Sequence, residues 1–325
     1  MGTASYILKK AVIMLATFYV ISSIIFLLPR ITPVDPKSLL ADNPRIPESI
    51  RQDLIASFGL NKPILVQYIS FYANLLRGSL GYSFLYRDPV LTVILTRLPW
   101  TILLLGTSTA IFIALGIVIG VLQAARYGSK FDIVTLIVSL TASSFPFFFI
   151  GIVFIYLFAF VIPIFPTFGA ISSGVTFTDP LETLTDICWH LALPVTTIVI
   201  VNISRYSFYL RNIMVGVLSE DYIITAKAKG LPKNKVLFKH GLRNAMLPTM
   251  TMMAMDFGFI LAGGIFVETV FSYPGVGSLA YEAILNADYP LMNGEFILLS
   301  IVILIANFTA DALYSVLDPR VRKGS

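Results

Sequence analysis

The chain has few charged residues, one cysteine and two histidines. Of its 325 residues only 13% are charged, 57% are hydrophobic, and the mean hydropathy is +0.84. Soluble domains carry about 25% charged residues, so this composition excludes both a water-soluble globule and an intrinsically disordered chain. Because Cys188 is the single cysteine, an internal disulfide and a metal site built from several cysteines are also excluded.

Two sequence signatures of enzyme chemistry are missing as well. No stretch reads Gly-x-x-x-x-Gly-Lys-Ser/Thr, so the chain lacks the loop with which many ATPases hold phosphate. No stretch reads His-Glu-x-x-His, and His190 and His240 fall on opposite sides of the membrane in the topology derived below. We therefore expect no catalytic residue, no cofactor and no metal ion on this chain.

Long apolar stretches are what the sequence has in abundance. About 20 helical residues cross the hydrocarbon core of a bilayer, and six stretches approach or exceed that length. They run approximately over 8–28, 99–124, 133–161, 188–210, 247–267 and 295–317. No small-x-small cleavage site follows Leu28, so the first stretch is interpreted as a retained span and not as a signal peptide. The sequence predicts an all-helical polytopic membrane protein with six transmembrane helices.

Basic residues are unevenly distributed among the connecting segments. Lysine and arginine occur at both ends of the chain, at Arg126 and Lys130, and throughout 205–243. The loops near 162–187 and 268–295 contain neither, but carry acidic residues at Asp179, Glu182, Asp186, Glu268, Glu282, Asp288 and Glu295. The positive-inside rule therefore places both termini in the cytoplasm. The net charge of +5 follows from this topology, and nucleic acid is not an expected partner.

The segment 29–98 is the exception, because it is predicted to be outside and yet is basic. Its length of about 70 residues exempts it from the rule. Two amphipathic helices are predicted within it, at 47–59 and at 63–76, where Gly78 ends the second. They serve either as a structural cap or as a contact for a delivering partner protein. We accordingly divide the chain into 1–98 and a five-helix core, 99–325, that includes a cytoplasmic loop, 212–246.

The cytoplasmic loop contains a short helix of small and basic residues. The stretch from Glu220 ends at Gly230, where a left-handed C-cap is expected, and Pro232 prevents the helix from continuing. A further helical turn then leads into the fifth span. Such a projecting helix is suited to insertion into a groove of another protein, and its lysines to meeting acidic partners. A solvated basic loop is the alternative interpretation.

Short motifs occur in order along essentially the whole chain. They are Thr32-Pro33-Val34-Asp35-Pro36, Phe58-Gly59-Leu60-Asn61-Lys62-Pro63, Asn74-Leu75-Leu76-Arg77-Gly78-Ser79-Leu80-Gly81, Thr96-Arg97-Leu98-Pro99, His190-Leu191-Ala192-Leu193-Pro194, the loop 220–248, Glu268-Thr269-Val270-Phe271, Pro274-Gly275-Val276-Gly277, Asp288-Tyr289-Pro290 and Asp318-Pro319-Arg320-Val321-Arg322. With these motifs the sequence resembles the membrane permease subunit of ATP-binding-cassette importers of the dipeptide, oligopeptide and nickel class.

The resemblance implies a function, a fold and a set of partners. It implies a type I importer permease in a prokaryotic cell membrane, forming half of the substrate path of an ATP-driven importer. The partners would be a second, homologous permease, two cytoplasmic ATPases that hold ATP and Mg²⁺, and an extracytoplasmic substrate-binding protein. Di- or oligopeptides are the expected substrates, with oligosaccharides, nickel or glutathione as alternatives.

The resemblance also assigns the loop 220–248 to coupling with the ATPases. The residues expected to couple are Glu220, Asp221, Tyr222, Thr225, Ala226, Lys227, Ala228, Lys229, Gly230 and Leu231. The general importer pattern begins with a glutamate that is absent here, where Ile224 stands, and Glu220 or Asp221 is the candidate replacement. The closing Leu247-Pro248 comes five residues later than in that pattern, which is the form typical of the peptide class.

Ionisable residues inside the predicted spans are candidates for function because burying a charge in a membrane is costly. Asp256 lies near the middle of the fifth span among several methionines, whose flexible side chains suit a substrate path. The candidate path residues are Met252, Met255, Asp256, Phe259 and Gly263. For Asp311, Arg205 and Arg211, pairing within the bundle or snorkelling is the favoured interpretation.

Two other classes of protein remain as alternatives. A secondary transporter would show internal repeats and paired broken helices, and neither is found. An intramembrane enzyme would need its reactive groups at a common depth, whereas Asp256 and Asp311 differ in depth. Uptake without ATPase subunits would indicate the first alternative, and activity that depends on both aspartates would indicate the second.

Overall fold

The computed structural model describes residues 3–31, 61–259 and 264–317. These residues form helices and turns, with no strand among them beyond an isolated bridge between Tyr82 and Pro89. In chain order the α-helices are α1 (Thr3–Ile31), α2 (Ile64–Leu76), α3 (Val90–Ala125), α4 (Lys130–Ser143), α5 (Phe147–Ile155), α6 (Pro180–Val217), α7 (Asp221–Ala228), α8 (Lys233–Lys235), α9 (Arg243–Phe259), α10 (Ile265–Val270), α11 (Val276–Leu285) and α12 (Tyr289–Leu317). Two π-helical segments, Tyr156–Val161 and Val236–Leu242, continue α5 and precede α9.

Four of the described helices are long and apolar enough to cross a membrane. They are Leu8–Ile31, Val90–Ala125, Pro180–Val217 and Tyr289–Thr309. A fifth span results if Lys130–Ser143 and Phe147–Val161, which are bent by 94° at their junction, count as one. The all-helical membrane architecture is thus confirmed. The predicted fifth span, 247–267, passes through residues 260–263, which lie outside the described residues, so the number of six spans stays a prediction.

Local sequence signals explain where several of these helices begin. Pro180 occupies the first turn of α6, where its missing N–H costs nothing, and Asp179 accepts a hydrogen bond from the Leu181 N–H at 2.9 Å. Pro146 precedes the first residue of α5 and separates this helix from α4. Both α3 and α6 start before the predicted limits of their spans, and Asp179 caps the first turn of α6 outside the apolar stretch.

The chain divides into two compact units, Met1–Pro99 with Val276–Ser325 and Trp100–Gly275. In the first unit α12 packs against α1 and α11, and Val90, Ile94, Leu279 and Leu291 belong to its core. In the second unit α4, α5 and α9 each pack against α6. The predicted division at residue 98 remains a prediction, although one boundary of the first unit falls beside it.

Helix α2 confirms the second of the two predicted amphipathic helices. Its tyrosine hydroxyls point to α1, where Tyr72 shares a hydrogen bond with Ser22 at 2.9 Å and Tyr68 one with Ser23 at 2.8 Å. Gly78 follows the helix with a φ of +76°, in the left-handed region that ends helices at glycine. The other predicted amphipathic helix, 47–59, lies outside the described residues.

Candidate coupling surface and translocation path

Helix α7 lies within the loop 220–248, for which the resemblance implies a coupling role. Its eight residues begin after Glu220, with Asp221 in the first turn and Lys227 in the last. An acidic residue at the start and a basic residue at the end of a helix both interact favourably with the helix dipole. The Thr225 hydroxyl donates to the Asp221 carbonyl at 2.9 Å, within the same helix.

The end of α7 is a left-handed glycine cap, which confirms the sequence prediction. Gly230 has a φ of +75°, and its N–H donates to the Lys227 carbonyl at 2.9 Å. The Leu231 N–H donates to the Ala226 carbonyl at 3.3 Å, so the two bonds form a Schellman motif. A Cβ at Gly230 would meet no atom within 4 Å. The requirement for glycine therefore comes from the backbone conformation and not from a lack of space.

One face of α7 is anchored to the rest of the second unit. Ile223 and Ala226 are buried with Val236, and Leu218 and Leu231 pack against this cluster. The Tyr222 hydroxyl accepts a hydrogen bond from Asn244 Nδ2 at 2.7 Å. The buried face of the helix therefore packs against residues that come before it in the chain, such as Leu218, and against residues that come after it, such as Val236.

The other face of α7 is open. Ile224, an aliphatic residue, is 55% exposed. Of the ten residues expected to couple, the exposed ones are Glu220, Asp221, Tyr222, Thr225, Lys227, Ala228, Lys229 and Gly230. Ala226 is buried and Leu231 half-buried, so these two hold the helix in place. The structure thus gathers the predicted residues into one helix and its cap, with a free face that combines an apolar side chain and lysines.

The base of α7 is continuous with a second packed cluster. Leu218, at the end of α6, packs against both the α7 cluster and a cluster that contains Met214, Leu237 and Ala245. A Cβ at Gly241 would lie 3.2 Å from Leu218 Cδ2, so the π-helical segment approaches α6 closely. Contiguous packed side chains therefore join α7 to α6 and α9.

Arg211, near the end of α6, forms a two-point ion pair. Its Nε lies 2.6 Å from Asp132 Oδ1 and its Nη2 lies 2.7 Å from Asp132 Oδ2. Pairing within the bundle, the favoured interpretation of Arg211, is confirmed. Sequence reasoning missed Asp132, although the spacing of Ser129 and Asp132 is that of a helix-capping pair.

The predicted path residues lie on or after α9. Positions 252, 255, 256 and 259 recur with a spacing that places them on one face of a helix, and α9 is helical over this range. Met252 is half-buried against the core of the second unit. The side chains of Met255, Asp256 and Phe259 and the whole of Gly263 lie outside the described residues. The path stays a prediction.

Glu268 is a buried acid that sequence reasoning placed in an exterior loop. In the structure it belongs to α10, is fully buried, and its Oε1 accepts from the Thr101 hydroxyl at 2.8 Å. A Cβ at Gly275 would overlap its carboxylate. Burial, and secondarily the charge of Glu268, raise the pKa of the neighbouring Tyr273. The signal that could have found this site is the short distance in sequence from Glu268 to Pro274-Gly275.

A second buried acid, Asp288, holds the turn before α3 within the first unit. Its Oδ2 accepts from the Ser83 hydroxyl at 2.5 Å and from the Leu85 N–H at 2.9 Å. Nearby, Tyr86 donates a hydrogen bond to Glu282. Burial, with a further contribution from Glu282, raises the pKa of Tyr86 to about 12, so the hydroxyl remains protonated and keeps donating. Glu268 and Asp288 were both expected in an exterior loop, whereas the structure is largely helical over 268–295.

The described residues contain no group of three or more His, Cys, Asp or Glu side chains arranged to hold a metal ion. The features that they do contain are apolar helices of membrane-spanning length and one anchored, outward-facing short helix. These features are those of a helical membrane protein with a short helix that leaves one face exposed.

Comparison with known proteins identifies the family. The family described as "Binding-protein-dependent transport system inner membrane component" matches residues 116–323, and the corresponding N-terminal family matches residues 3–105. The chain therefore belongs to the inner membrane components of binding-protein-dependent transport systems. It is a multi-pass membrane permease subunit.

Curated relatives match over nearly their whole length. The oligopeptide transport system permease protein AppB of Bacillus subtilis is 33% identical over 319 residues, which is 98% of this chain and 99% of AppB. The di/tripeptide transport system permease protein DppB of Pseudomonas aeruginosa is 31% identical, with 98% of each chain covered. The glutathione transport system permease protein GsiC of Escherichia coli K12 is 32% identical, with 98% and 99% covered.

Proposed function

We propose that this chain forms half of the translocation path of an ATP-driven importer of di- or oligopeptides. Oligopeptides, di- or tripeptides and glutathione are the cargoes in the printed names of the three relatives. All three are peptides or peptide-like, since glutathione is itself a tripeptide. Peptide chemistry is therefore favoured over nickel or an oligosaccharide.

The proposed assembly contains a second, homologous permease, two cytoplasmic ATPases and an extracytoplasmic binding protein. ATP and Mg²⁺ belong to the ATPases, and this chain holds no cofactor. The permease crosses the bilayer six times with both ends in the cytoplasm, and its path includes the face of α9 with Met252, Met255, Asp256 and Phe259, together with Gly263.

Helix α7 is the proposed coupling helix. The observation that carries this assignment is its division into an anchored face, with Ile223 and Ala226 buried, and an open face, with Ile224 55% exposed. When the ATPases close on ATP, they displace α7. Packing through Leu218 makes α6 follow, and the spans change from inward-open to outward-open.

The experiment that tests coupling compares two substitutions of one exposed residue. Ile224→Asp places a charge on the open face, while Ile224→Leu keeps an apolar side chain of the same size. Because position 224 is exposed, neither substitution is expected to disturb the fold. In the assembled importer, purified through a tag on the permease, we expect Ile224→Asp to lose the ATPases and Ile224→Leu to retain them. Retention of the ATPases by Ile224→Asp would contradict the assignment of α7.

The substrate class is tested by uptake into proteoliposomes that contain the whole importer and its binding protein. Radiolabelled di- and tripeptides, nickel and an oligosaccharide serve as the probes, each with and without ATP. We expect ATP-dependent uptake of the peptides alone. Uptake of nickel or the oligosaccharide in their place would overturn the peptide assignment and leave the coupling test unaffected. Uptake that is driven by an ion gradient without ATPases would instead indicate a secondary transporter.

A further inference from the structure

The ion pair between Asp132 and Arg211 joins two helices of the second unit. Asp132 belongs to the first turn of α4. Arg211 belongs to the part of α6 that the charge distribution predicts to be cytoplasmic. The two N–O distances, 2.6 and 2.7 Å, define a bidentate contact. The side chain of Asp132 is 1% exposed and that of Arg211 is 14% exposed. A bidentate pair shielded from water holds the relative orientation of two helices better than a single-point contact does.

Both partners are held in place by further contacts. Asp132 Oδ2 accepts from the Gly128 N–H at 3.0 Å, while the Asp132 N–H donates to Ser129 Oγ at 3.3 Å. The Arg211 guanidinium lies over the ring of Tyr127, 5.0 Å from its centroid. The turn that leads into α4 is thus built around the carboxylate that receives Arg211.

Asp132 is the only buried residue of α4, all of which the structure describes. The other side chains of α4 are half-buried or exposed, and Ile133, Val134, Ile137 and Val138 are each at least half exposed. One hydrogen bond, from Gln123 Nε2 to Thr135 Oγ1 at 2.9 Å, joins α4 to α3. Within α4 the ion pair thus involves the one buried side chain, while the apolar side chains are at most half-buried.

Arg211 lies in the part of α6 that is connected to α7 through packed side chains. Leu210 and Met214, on either side of Arg211 in α6, belong to the packed cluster that reaches Leu218 and hence the α7 cluster. Contiguous packed side chains of this kind can carry a displacement between distant elements when those elements have two arrangements.

We propose that the Asp132–Arg211 ion pair makes α4 move together with α6 when the coupling helix α7 is displaced. Arg211 and Asp132 are thus positioning residues, which act on the path through the helices that they join. This inference rests on the proposed role of α7. Loss of the pair would let α6 respond to the ATPases while α4 lags behind.

The experiment follows the two helices separately in the whole importer. Cys188→Ser removes the native cysteine, and a single spin label is placed either on α4 through Val138→Cys or on α6 through Phe208→Cys. Val138 is 61% exposed and Phe208 is 42% exposed, so labelling does not disturb a core. The spectral change on adding ATP with vanadate, which arrests the ATPases in their closed state, reports the movement of each helix.

Three variants remove the pair in different ways. Asp132→Asn and Arg211→Gln each remove one charge, and the double variant leaves no unpaired charge, so it assembles even where a single variant does not fold. Thr135→Val is the matched control, because it removes the partly buried hydrogen bond that Gln123 of α3 donates to α4 and leaves the ion pair to α6 in place.

We expect the ATP-induced change at position 138 to fall by at least about twofold in the variants of the pair, while the change at position 208 is retained. Thr135→Val should alter neither signal. The loss of the change at position 138 should be no larger in the double variant than in the single variants. An unchanged response at position 138 in the double variant, or an equal loss at both positions, would overturn the proposal.

The unmodified importer separates this inference from the proposed function. A response at position 208 without one at position 138 would refute only the inference, because α4 would then not move with α6. Absence of a response at both positions would refute the proposed role of α7 itself, since ATP would then move neither helix.

Discussion

Asp288 is an acid that folding has placed among hydrogen-bond donors but away from water. Besides Ser83 and Leu85, the Leu291 N–H donates to its Oδ1 at 3.1 Å. Burial raises the pKa of Asp288 above its usual value, and these hydrogen bonds oppose the shift without cancelling it. The carboxyl group therefore takes up a proton more readily in the folded protein than in the unfolded chain.

This shift predicts how the stability of the protein depends on pH. Because the folded state binds the proton more tightly, the contribution of Asp288 to stability increases as the pH falls from about 7 towards about 4. Asp288→Asn has no such dependence. We expect the melting temperature of the unmodified protein in detergent, minus that of Asp288→Asn, to increase over this range. A difference that decreases on acidification would show that the pKa is lowered instead.

Glu268 illustrates why single acids are hard to interpret from sequence. The carboxylate occupies the space in which a Cβ at Gly275 or Gly264 would lie, so these glycines and the acid require one another. Composition and charge patterning treat Glu268 as one more negative residue outside the membrane. The Thr101 hydroxyl that donates to its Oε1 is far away in sequence, so this hydrogen bond has no local signal.

The ends of the helices were the most predictable elements. Gly78 and Gly230 were each expected to end a helix, and both have the positive φ that such an end requires. Pro146 likewise separates two helices, since α5 begins directly after it. These features depend on neighbouring residues alone, so the sequence carries them without knowledge of the fold.

The crossing of α3 and α6 depends instead on close approach between helices. A Cβ at Gly116 would overlap the Cβ of Tyr206, and one at Gly120 would lie 2.8 Å from the Ser207 carbonyl oxygen. Small residues four apart allow membrane helices to pack backbone to backbone. Gly106, in the same α3, has no such neighbour within 4 Å.

These glycines provide a matched pair of substitutions. We expect Gly116→Ala to destabilise the protein by about 1–3 kcal/mol, because the added methyl group must push α3 away from α6. Gly106→Ala should be neutral, or should stabilise the helix by up to about 1 kcal/mol through its higher helix propensity. Thermal unfolding in detergent measures both. Equal effects of the two substitutions would argue against a close crossing at Gly116.

At the scale of the whole molecule, the side of the membrane on which each segment lies remains a prediction from charge. The basic stretch 205–243 and both ends of the chain are assigned to the cytoplasm, and the segment 29–98 to the exterior. An even number of spans requires both ends to lie on the same side.

Labelling of single cysteines tests this topology, in a protein from which Cys188→Ser has removed the native thiol. On intact cells we expect a membrane-impermeant maleimide to label Lys62→Cys. Lys9→Cys, Lys233→Cys and Arg322→Cys should react only after the membrane is permeabilised. Labelling of Lys9→Cys and Arg322→Cys from opposite sides would mean an odd number of spans and would refute the six-span topology.

The sequence by itself determined the class of the protein. Apolar length, the distribution of Lys and Arg, and the glycine and proline that bracket α7 are local properties, because solvent and backbone sterics act on each segment separately. They were enough to predict an all-helical membrane protein and a short helix that ends at Gly230, whereas the permease function and the coupling role came from the resemblance to a family, and the coupling role stays a prediction. The family match and the positive φ of Gly230 agree with these predictions.

The tertiary structure decided which charged residues are structural and which faces are free. That Asp132 receives Arg211, that Ile223 is buried while Ile224 is exposed, and that Asp288 meets Ser83 all depend on chain segments brought together from a distance. Burial makes an unpaired charge costly, so the position of each partner decides which role an ionisable residue can have. Such pairs arise only when the helices pack, and for that reason they were not present in any local pattern.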